Sequence, residues 1–382
     1  MRKLALLLPV FLLQLAPPAT AAKRLTVDQL RTFLSTQHGK SDAHIAQRLY
    51  TIELTERMTT ARLAAIKASL PGPESQRSLI ALADQAEFLD PPSSEIPVAA
   101  PPDLATQRAV LALAVSYATL TIHRLPNLFA QRETMRFEDS PARQEYRVGD
   151  VSGTFIPYMP IHPVSHSSAT VTYRDGHEVI EREVADNGTV LASGLTTSGE
   201  FGPILATVLG DIPQGNVQWS HWEDATGKRI AVFRYTLPQQ NSHYQVEFCC
   251  VRSRLFQRFA GYHGQIAVDP GTGAILRLTL IADLHKSDPV AKADIMVRYG
   301  PVELGQHTYI CPLKSVSISI APAHVSQELN MPGQGTASLN GGRISMQATD
   351  RDDAPPQLML NDVVFDQYHL FRADQRILST GP

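Results

Sequence analysis

The sequence predicts an α+β protein in which a small helical bundle precedes a large antiparallel β-sheet with a helix on its concave face. Three observations along the 382 residues carry that expectation. Between residues 25 and 89 apolar side chains recur at steps of three and four, which places them on one face of a helix. A proline-rich stretch at 90–103 then disfavours regular structure. Past Asn127 the period falls to two, and β-branched and aromatic segments alternate between turn residues in the manner of half-buried strands.

The chain opens with Arg2 and Lys3, an apolar run from Leu4 to Leu15, and Ala19, Ala21 and Ala22. These are the three parts of a removable secretory signal peptide, expected over residues 1–22. Pro9 and Gln14 interrupt the run, which is well short of the roughly 20 residues a spanning helix needs. No cysteine stands near the cleavage point to be acylated. The expected product is a soluble protein, periplasmic or secreted, with no transmembrane span after cleavage.

Residues 23–89 form the helical unit. Leu30, Phe33 and Leu34, then Ile45, Leu49 and Ile52, then Leu79, Leu82 and Ala86 give its apolar stripes. Thr26 with Gln29 has the spacing of a capping box, Ser41 and Thr59 suit the next two N-caps, and Pro73 suits the first turn of a fourth helix. In the spacer at 90–103, Pro91, Pro92, Pro97, Pro101 and Pro102 read as extended chain and a domain boundary. The β domain, 104–382, begins with a long helix whose apolar stripe is read as Leu104, Leu111, Val115, Tyr117 and Leu120, ending before Pro126.

Candidate strands follow at 134–138, 170–173, 177–184, 217–223, 230–237, 243–251, 265–269, 275–282, 293–299, 308–320 and 358–371. A helix at 199–210 interrupts them, with Phe201, Ile204, Leu205 and Val208 on its apolar side. The segment 321–357 is rich in Gly, Pro, Ser and Asp without sustained periodicity, and is expected to be a flexible insertion.

The formal charge of −3 is spread without a block of either sign, and no arginine- or lysine-rich stripe interleaves with aromatics, which excludes nucleic acid as the expected partner. Hydrolytic motifs are absent: there is no G-x-S-x-G elbow, and His177-Glu178 ends at Glu181 instead of a second histidine. No phosphate loop occurs, and neither a cofactor nor a metal site is expected. His162 and His166 flank a proline-rich segment read as a loop, His221 stands near Glu223, and His285 lies between Asp283 and Asp288. Of the three cysteines, only one of the neighbours Cys249 and Cys250 can face Cys311, since adjacent strand residues point to opposite faces. Cys250 shares the face of Tyr244, Val246 and Phe248, so a Cys250 to Cys311 disulfide is the expected pairing.

Trp219, Phe233, Tyr235, Tyr244 and Phe248 fall on the apolar faces of three consecutive strands, directly after the helix carrying Phe201, Ile204, Leu205 and Val208. Together they either line a cavity or fill a core. A cavity would suit a hydrophobic ligand, each buried methylene contributing about 0.8 kcal/mol.

The run Gly264-Gln265-Ile266-Ala267-Val268-Asp269-Pro270-Gly271-Thr272-Gly273-Ala274-Ile275-Leu276-Arg277 is followed by Val297-Arg298-Tyr299-Gly300-Pro301-Val302-Glu303-Leu304-Gly305 and a strand from Thr308 to Pro312. This succession resembles the closing strands of the LolA-like and RseB-like periplasmic proteins, of the outer-membrane lipoprotein carrier type. The resemblance implies an incomplete antiparallel β-barrel closed by helices around an apolar cavity that carries lipoprotein acyl chains or senses envelope components. As a whole the chain resembles uncharacterised exported proteins of Acidobacteria, which implies an address without an activity. The leading expectation is an envelope protein binding a lipid or lipoprotein acyl chain, with an envelope protein partner or the rest of the chain docked on the helical unit. The alternatives are a non-catalytic interaction or scaffold protein, and a metal-assisted hydrolase built on His162, His221 and His285.

Overall fold

A computed structural model describes residues 22–140, 158–181, 184–185, 198–225, 227–251, 254–322 and 356–371. All but Ala22 of the expected signal peptide, and residues 323–355 of the expected insertion, lie outside the described residues.

The helical unit comprises β1 (Lys23–Leu25), α1 (Val27–Ser35), α2 (Asp42–Leu49), β2 (Ile52–Leu54), α3 (Thr60–Ala68) and α4 (Pro73–Gln85). Local chemistry sets most of its boundaries. Thr26 and Gln29 close a reciprocal capping box on α1, and Ser41 accepts from the His44 amide at the start of α2. Thr59 holds the N-cap position of α3 without a side-chain cap bond; its hydroxyl donates to Glu95 instead. Pro73 opens α4, whose Glu74 and Ser75 amides are capped by the Asp42 carboxylate from α2. The parallel pairing of β1 with β2 is a feature the sequence reading missed, because three-residue strands are too short to show a period.

After the spacer come α5 (Leu104–Arg124), β3 (Leu128–Ser140), β4 (Met159–Arg174), β5 (His177–Ile180), β6 (Val184–Ala185), α6 (Pro203–Asp211), β7 (Asn216–Ala225) and β8 (Lys228–Leu237). The chain continues through β9 (Gln245–Val251), β10 (Arg254–Phe259), β11 (Gly261–Val268), β12 (Ile275–Asp283), β13 (Lys292–Leu304), β14 (His307–Pro322) and β15 (Pro356–Leu370). The main sheet has eleven strands, with the continuous order β5-β4-β3-β15-β14-β13-β12-β11-β8-β7 and β6 beside β4. All its pairings are antiparallel, as expected, and among the described residues it is open, without closing into a barrel.

The sheet curls. The Phe201 amide donates to Glu178 of β5, and Asp211 accepts from the Tyr262 phenol of β11. On a flat sheet those strands would be roughly 34 Å apart, at about 4.8 Å per strand step. The intervening chain, mostly helix, covers only about 15 Å at 1.5 Å per residue. The concave side therefore holds α6, and α5 lies there too: Val110, Ala114 and Ala118 of α5 share one core with Val208, Phe233, Ile266, Leu278 and Val297.

Strand alternation divides two faces. Ile295, Val297 and Tyr299 point inward to α5 and α6, while Met296 and Arg298 point outward to the helical unit. On that outer side Ala81 of α4 packs with Phe137, Met296, Val316, Ile318 and Leu360. Around it lie largely buried ion pairs: Arg57 to Glu223 at 2.6 Å, Arg277 to Glu223 at 2.8 Å, Arg298 to Glu87 at 2.5 Å, and Lys314 to Asp84 at 2.6 Å and Asp362 at 2.9 Å. Two carboxylates thus share the Lys314 ammonium. Burial and the Asp362 charge push Asp84 up to about 8. The spacer is fastened as well: Pro91 and Pro92 are buried, Asp90 bonds Arg234 and Gln265, and Glu95 bonds Arg62.

Several expectations need correction. The buried stripe of α5 is Val110, Ala114 and Ala118, while Leu104, Val115 and Leu120 are exposed. Small side chains let the helix backbone approach the sheet, and the larger residues are left outside. The proline-rich segment with His162 and His166 is not a loop but the first half of β4, paired with β3. Strand β9 does not continue the main sheet: it pairs only with β10, an unforeseen strand, and β8 pairs directly with β11.

Two glycines of the 264–277 run have steric roles. Gly264 lies opposite Tyr235, and a Cβ there would come within 1.9 Å of the Thr279 carbonyl oxygen, to which the Tyr235 phenol donates. Gly273, at φ +77°, ends the tight turn at 269–273, and a Cβ there would come within 2.5 Å of the Leu113 carbonyl oxygen. The turn between β11 and β12 is thereby a seat for the middle of α5.

Candidate functional site

The concave face has an apolar part and a polar part. The apolar part gathers most of the residues expected to line a cavity, but largely as a filled core. Val208, Phe233 and Tyr235 are buried, with Ile204, Trp219 and Tyr244 packed at the margin. Trp219 meets Phe233 edge-on at 5.4 Å. The side chain of Phe248 lies outside the described residues. Phe201 and Leu205 do line a crevice, with Tyr117, Leu125, Tyr299 and Pro312, between α5, the start of α6 and the sheet. Its volume is about 20 Å³. That is room for a water molecule, and far too little for an acyl chain.

The polar part was not foreseen. Register sets Thr134, Val363, Ser315 and Val297 side by side across β3, β15, β14 and β13, all facing inward. Next to this row Arg136 donates to Asn361, and Asn361 to Ser317, in a buried ladder. The hydroxyls of Thr134, Tyr299, Ser315 and Ser319 are buried and have no hydrogen-bond partner among the described residues. Tyr299 also lines the crevice.

Beside them stand two carboxyl groups. Glu178 is opposite Tyr173 in the register of β5 with β4. One of its oxygens accepts from the Phe201 amide at 3.1 Å, and the other has no hydrogen-bond partner among the described residues. Glu200, just before Phe201, is fully buried. Burial first, and then the charge of Glu200, push Glu178 up to about 7, against the Phe201 and Gly199 amides and then Arg132, which pull it down. Burial, then the charges of Glu200 and Glu178, hold the Tyr299 phenol well above its ordinary range. An aromatic set surrounds the pair: Phe201 lies 5.9 Å from Tyr173, 5.5 Å from Phe365 and 6.1 Å from Tyr368.

Sequence reasoning dismissed Glu178 as a broken zinc-protease motif and passed over Glu200 and Tyr299. No local signal marked them, since residues 177–184 read HEVIEREV with charge throughout, and the partners that give Glu178 its setting come from elsewhere in the chain.

The bridge expected between Cys250 and Cys311 is not formed, because Cys311 is a free, wholly buried thiol. Cys311 packs with Leu128, Tyr173 and Phe365 at one end of the inner face. Strand β9, which carries Cys250, contributes Val246 to a cluster with Ala293, Ala321 and Met359 at the other end. Ala321 and Cys311 are about ten residues apart on β14, roughly 33 Å along the strand. The side chain of Cys250 lies outside the described residues. Burial pushes the Cys311 thiol up to about 12. Peptide mapping after treatment of the native protein with a thiol reagent is expected to find Cys311 unmodified, and modified once the chain is unfolded.

The histidines do not converge. His162 contacts the Pro160 carbonyl oxygen, His166 pairs with Glu133 at 3.1 Å, His221 with Glu223 at 3.1 Å, and His285 contacts Ser287. Among the described residues no group of three or more His, Cys, Asp or Glu side chains is placed to hold a metal ion. No described helix is long and apolar enough to cross a membrane. Comparison with protein-family models, curated proteins and solved structures finds no match to this chain.

Proposed function

We propose that this is a non-catalytic envelope protein that binds an amphiphile, an apolar chain with a polar end, on the inner face of a LolA-like curled sheet covered by α5 and α6. The observation that carries this reading is the set of buried hydroxyls at Thr134, Tyr299, Ser315 and Ser319 without hydrogen-bond partners among the described residues, spread along the inner face, with Tyr299 in the wall of the apolar crevice. Each such group costs about 1 to 3 kcal/mol in a closed interior, whereas apolar residues of the same shape would cost nothing comparable. Cost without a structural return is what a ligand-binding surface carries. At about 20 Å³ the crevice describes the covered state, so binding requires α5 or α6 to shift. The displaced contacts are then offset by burial of the ligand's own methylenes, at about 0.8 kcal/mol each.

The test offers the full chain dodecanol, dodecanoate and dodecylammonium below their aggregation limits, read by native mass spectrometry. One-to-one uptake of at least one probe is expected, with loss of uptake in Leu205→Glu. Absence of uptake for all three would overturn the reading. The filled cluster around Val208, Phe233 and Tyr235 favours a second reading, an interaction protein that adds a partner strand at the β7 edge. A clean unliganded mass would move the search there.

A further inference from the structure

We propose that the polar end of the ligand is a primary ammonium, held by Glu178 and Tyr299 where Phe201 and Tyr299 line the crevice, with Glu200 nearby; this rests on the amphiphile reading above. The geometry is that of an acceptor site. Glu178 spends one oxygen on the Phe201 amide, while its other oxygen and the buried Tyr299 oxygen have no hydrogen-bond partner among the described residues. Phe201 and Tyr299 both line the crevice, so a group at its end meets the phenol directly and the carboxyl behind the Phe201 amide.

An ammonium brings three donors and no acceptor, which matches oxygens that lack donors. Its positive charge is favoured by the Glu178 carboxylate, which already feels the charge of Glu200. A carboxylate or phosphate head would instead be brought against like charge, and a hydroxyl head has a single donor to share. In the covered state the same demand is met by a proton, as the upward shift of Glu178 indicates. Proton and ammonium are then competitors for one site.

The experiment measures equilibrium binding of dodecylammonium, dodecanol and dodecanoate to the full chain at pH 8, where Glu178 loses the competing proton. Dodecylammonium is expected to bind at least about tenfold more tightly than dodecanol, a difference of about 1.4 kcal/mol, with dodecanoate weakest. In Glu178→Gln and in Tyr299→Phe the ratio of dodecylammonium to dodecanol affinity is expected to fall toward one. Thermal melting checks that each variant folds, and Glu200→Gln serves if Glu178→Gln does not. Equal affinity for the three probes, a preference for dodecanoate, or a ratio unchanged in the folded variants would overturn the ammonium assignment and leave the amphiphile reading standing. Failure of all three probes to bind would overturn the amphiphile reading itself.

Discussion

Replacing Glu223 with alanine is expected to destabilise the protein by about 3 to 5 kcal/mol, the cost of leaving buried charges without their partner. One Glu223 oxygen receives Arg57 from the helical unit at 2.6 Å and Arg277 from β12 at 2.8 Å, with His221 at 3.1 Å. Both arginine side chains are at most 7% exposed, so neither can turn to water when the carboxylate is removed. Urea unfolding of the variant against the native chain measures the loss. An unchanged midpoint would mean that the arginines find other acceptors.

The same carboxylate sets an acid limit. Burial alone would raise Glu223, but His221, Arg277 and Arg57 outweigh it and hold it well below the ordinary carboxylate range. A carboxyl depressed on folding contributes stability that is present above its unfolded pKa, about 4.3. That contribution is lost progressively as the pH falls below this value. Asp84 works in the opposite sense. Raised to about 8 by burial and Asp362, it costs stability as the pH climbs from its unfolded value, about 3.9, through 8. On these two groups stability is therefore expected to peak at about pH 4, and Asp84→Asn to flatten its alkaline side.

Gly273→Val is expected to unseat α5 while leaving the sheet folded. A Cβ at this position would sit 2.5 Å from the Leu113 carbonyl oxygen and 2.7 Å from the Leu113 carbonyl carbon. These are backbone atoms inside a helix and cannot swing aside. The backbone is also left-handed there, at φ +77°, where a β-branched residue is strained. Overpacking and strain together are worth roughly 2 to 4 kcal/mol, enough to populate a state in which α5 has left the inner face. Increased binding of a hydrophobic dye, with the far-ultraviolet β signal retained, is the expected result. If α5 is the cover of the binding face, uptake of dodecyl probes should also become faster. A variant with native dye binding would show that α5 can shift along the sheet without leaving it.

Much of this architecture was legible because it is local. The Thr26 and Gln29 capping box, the Ser41 cap, Pro73 at a helix start and the tight turn at 269–273 are fixed by residues within a few positions of one another. The period-two segments found most strands of the sheet for the same reason. Strand ends were less legible: Pro160 and Pro163 argued for a loop, yet β4 runs through both, with register shifts beside its pairing. The face of α5 was misread because hydrophobicity was taken as the guide. Leu104, Val115 and Leu120 lie outside, while Ala114 and Ala118 lie inside with Val110, and Leu111 and Tyr117 pack at the margin.

What the sequence by itself determined is an α+β chain whose helices, caps and turns follow from neighbouring residues. Only the tertiary structure decided the rest. It placed the helical unit on the outer face through Arg57, Asp84 and Glu87, set β15 beside β3, and left Cys311 alone in the core. It also drew Glu178, Glu200 and Tyr299 toward one crevice from separate parts of the chain. The physical reason is distance along the chain. Caps and periods are energies of near neighbours, whereas an ion pair, an unpaired hydroxyl or a carboxyl shifted by another carboxyl acquires its energy only when the curl of the sheet brings remote strands together.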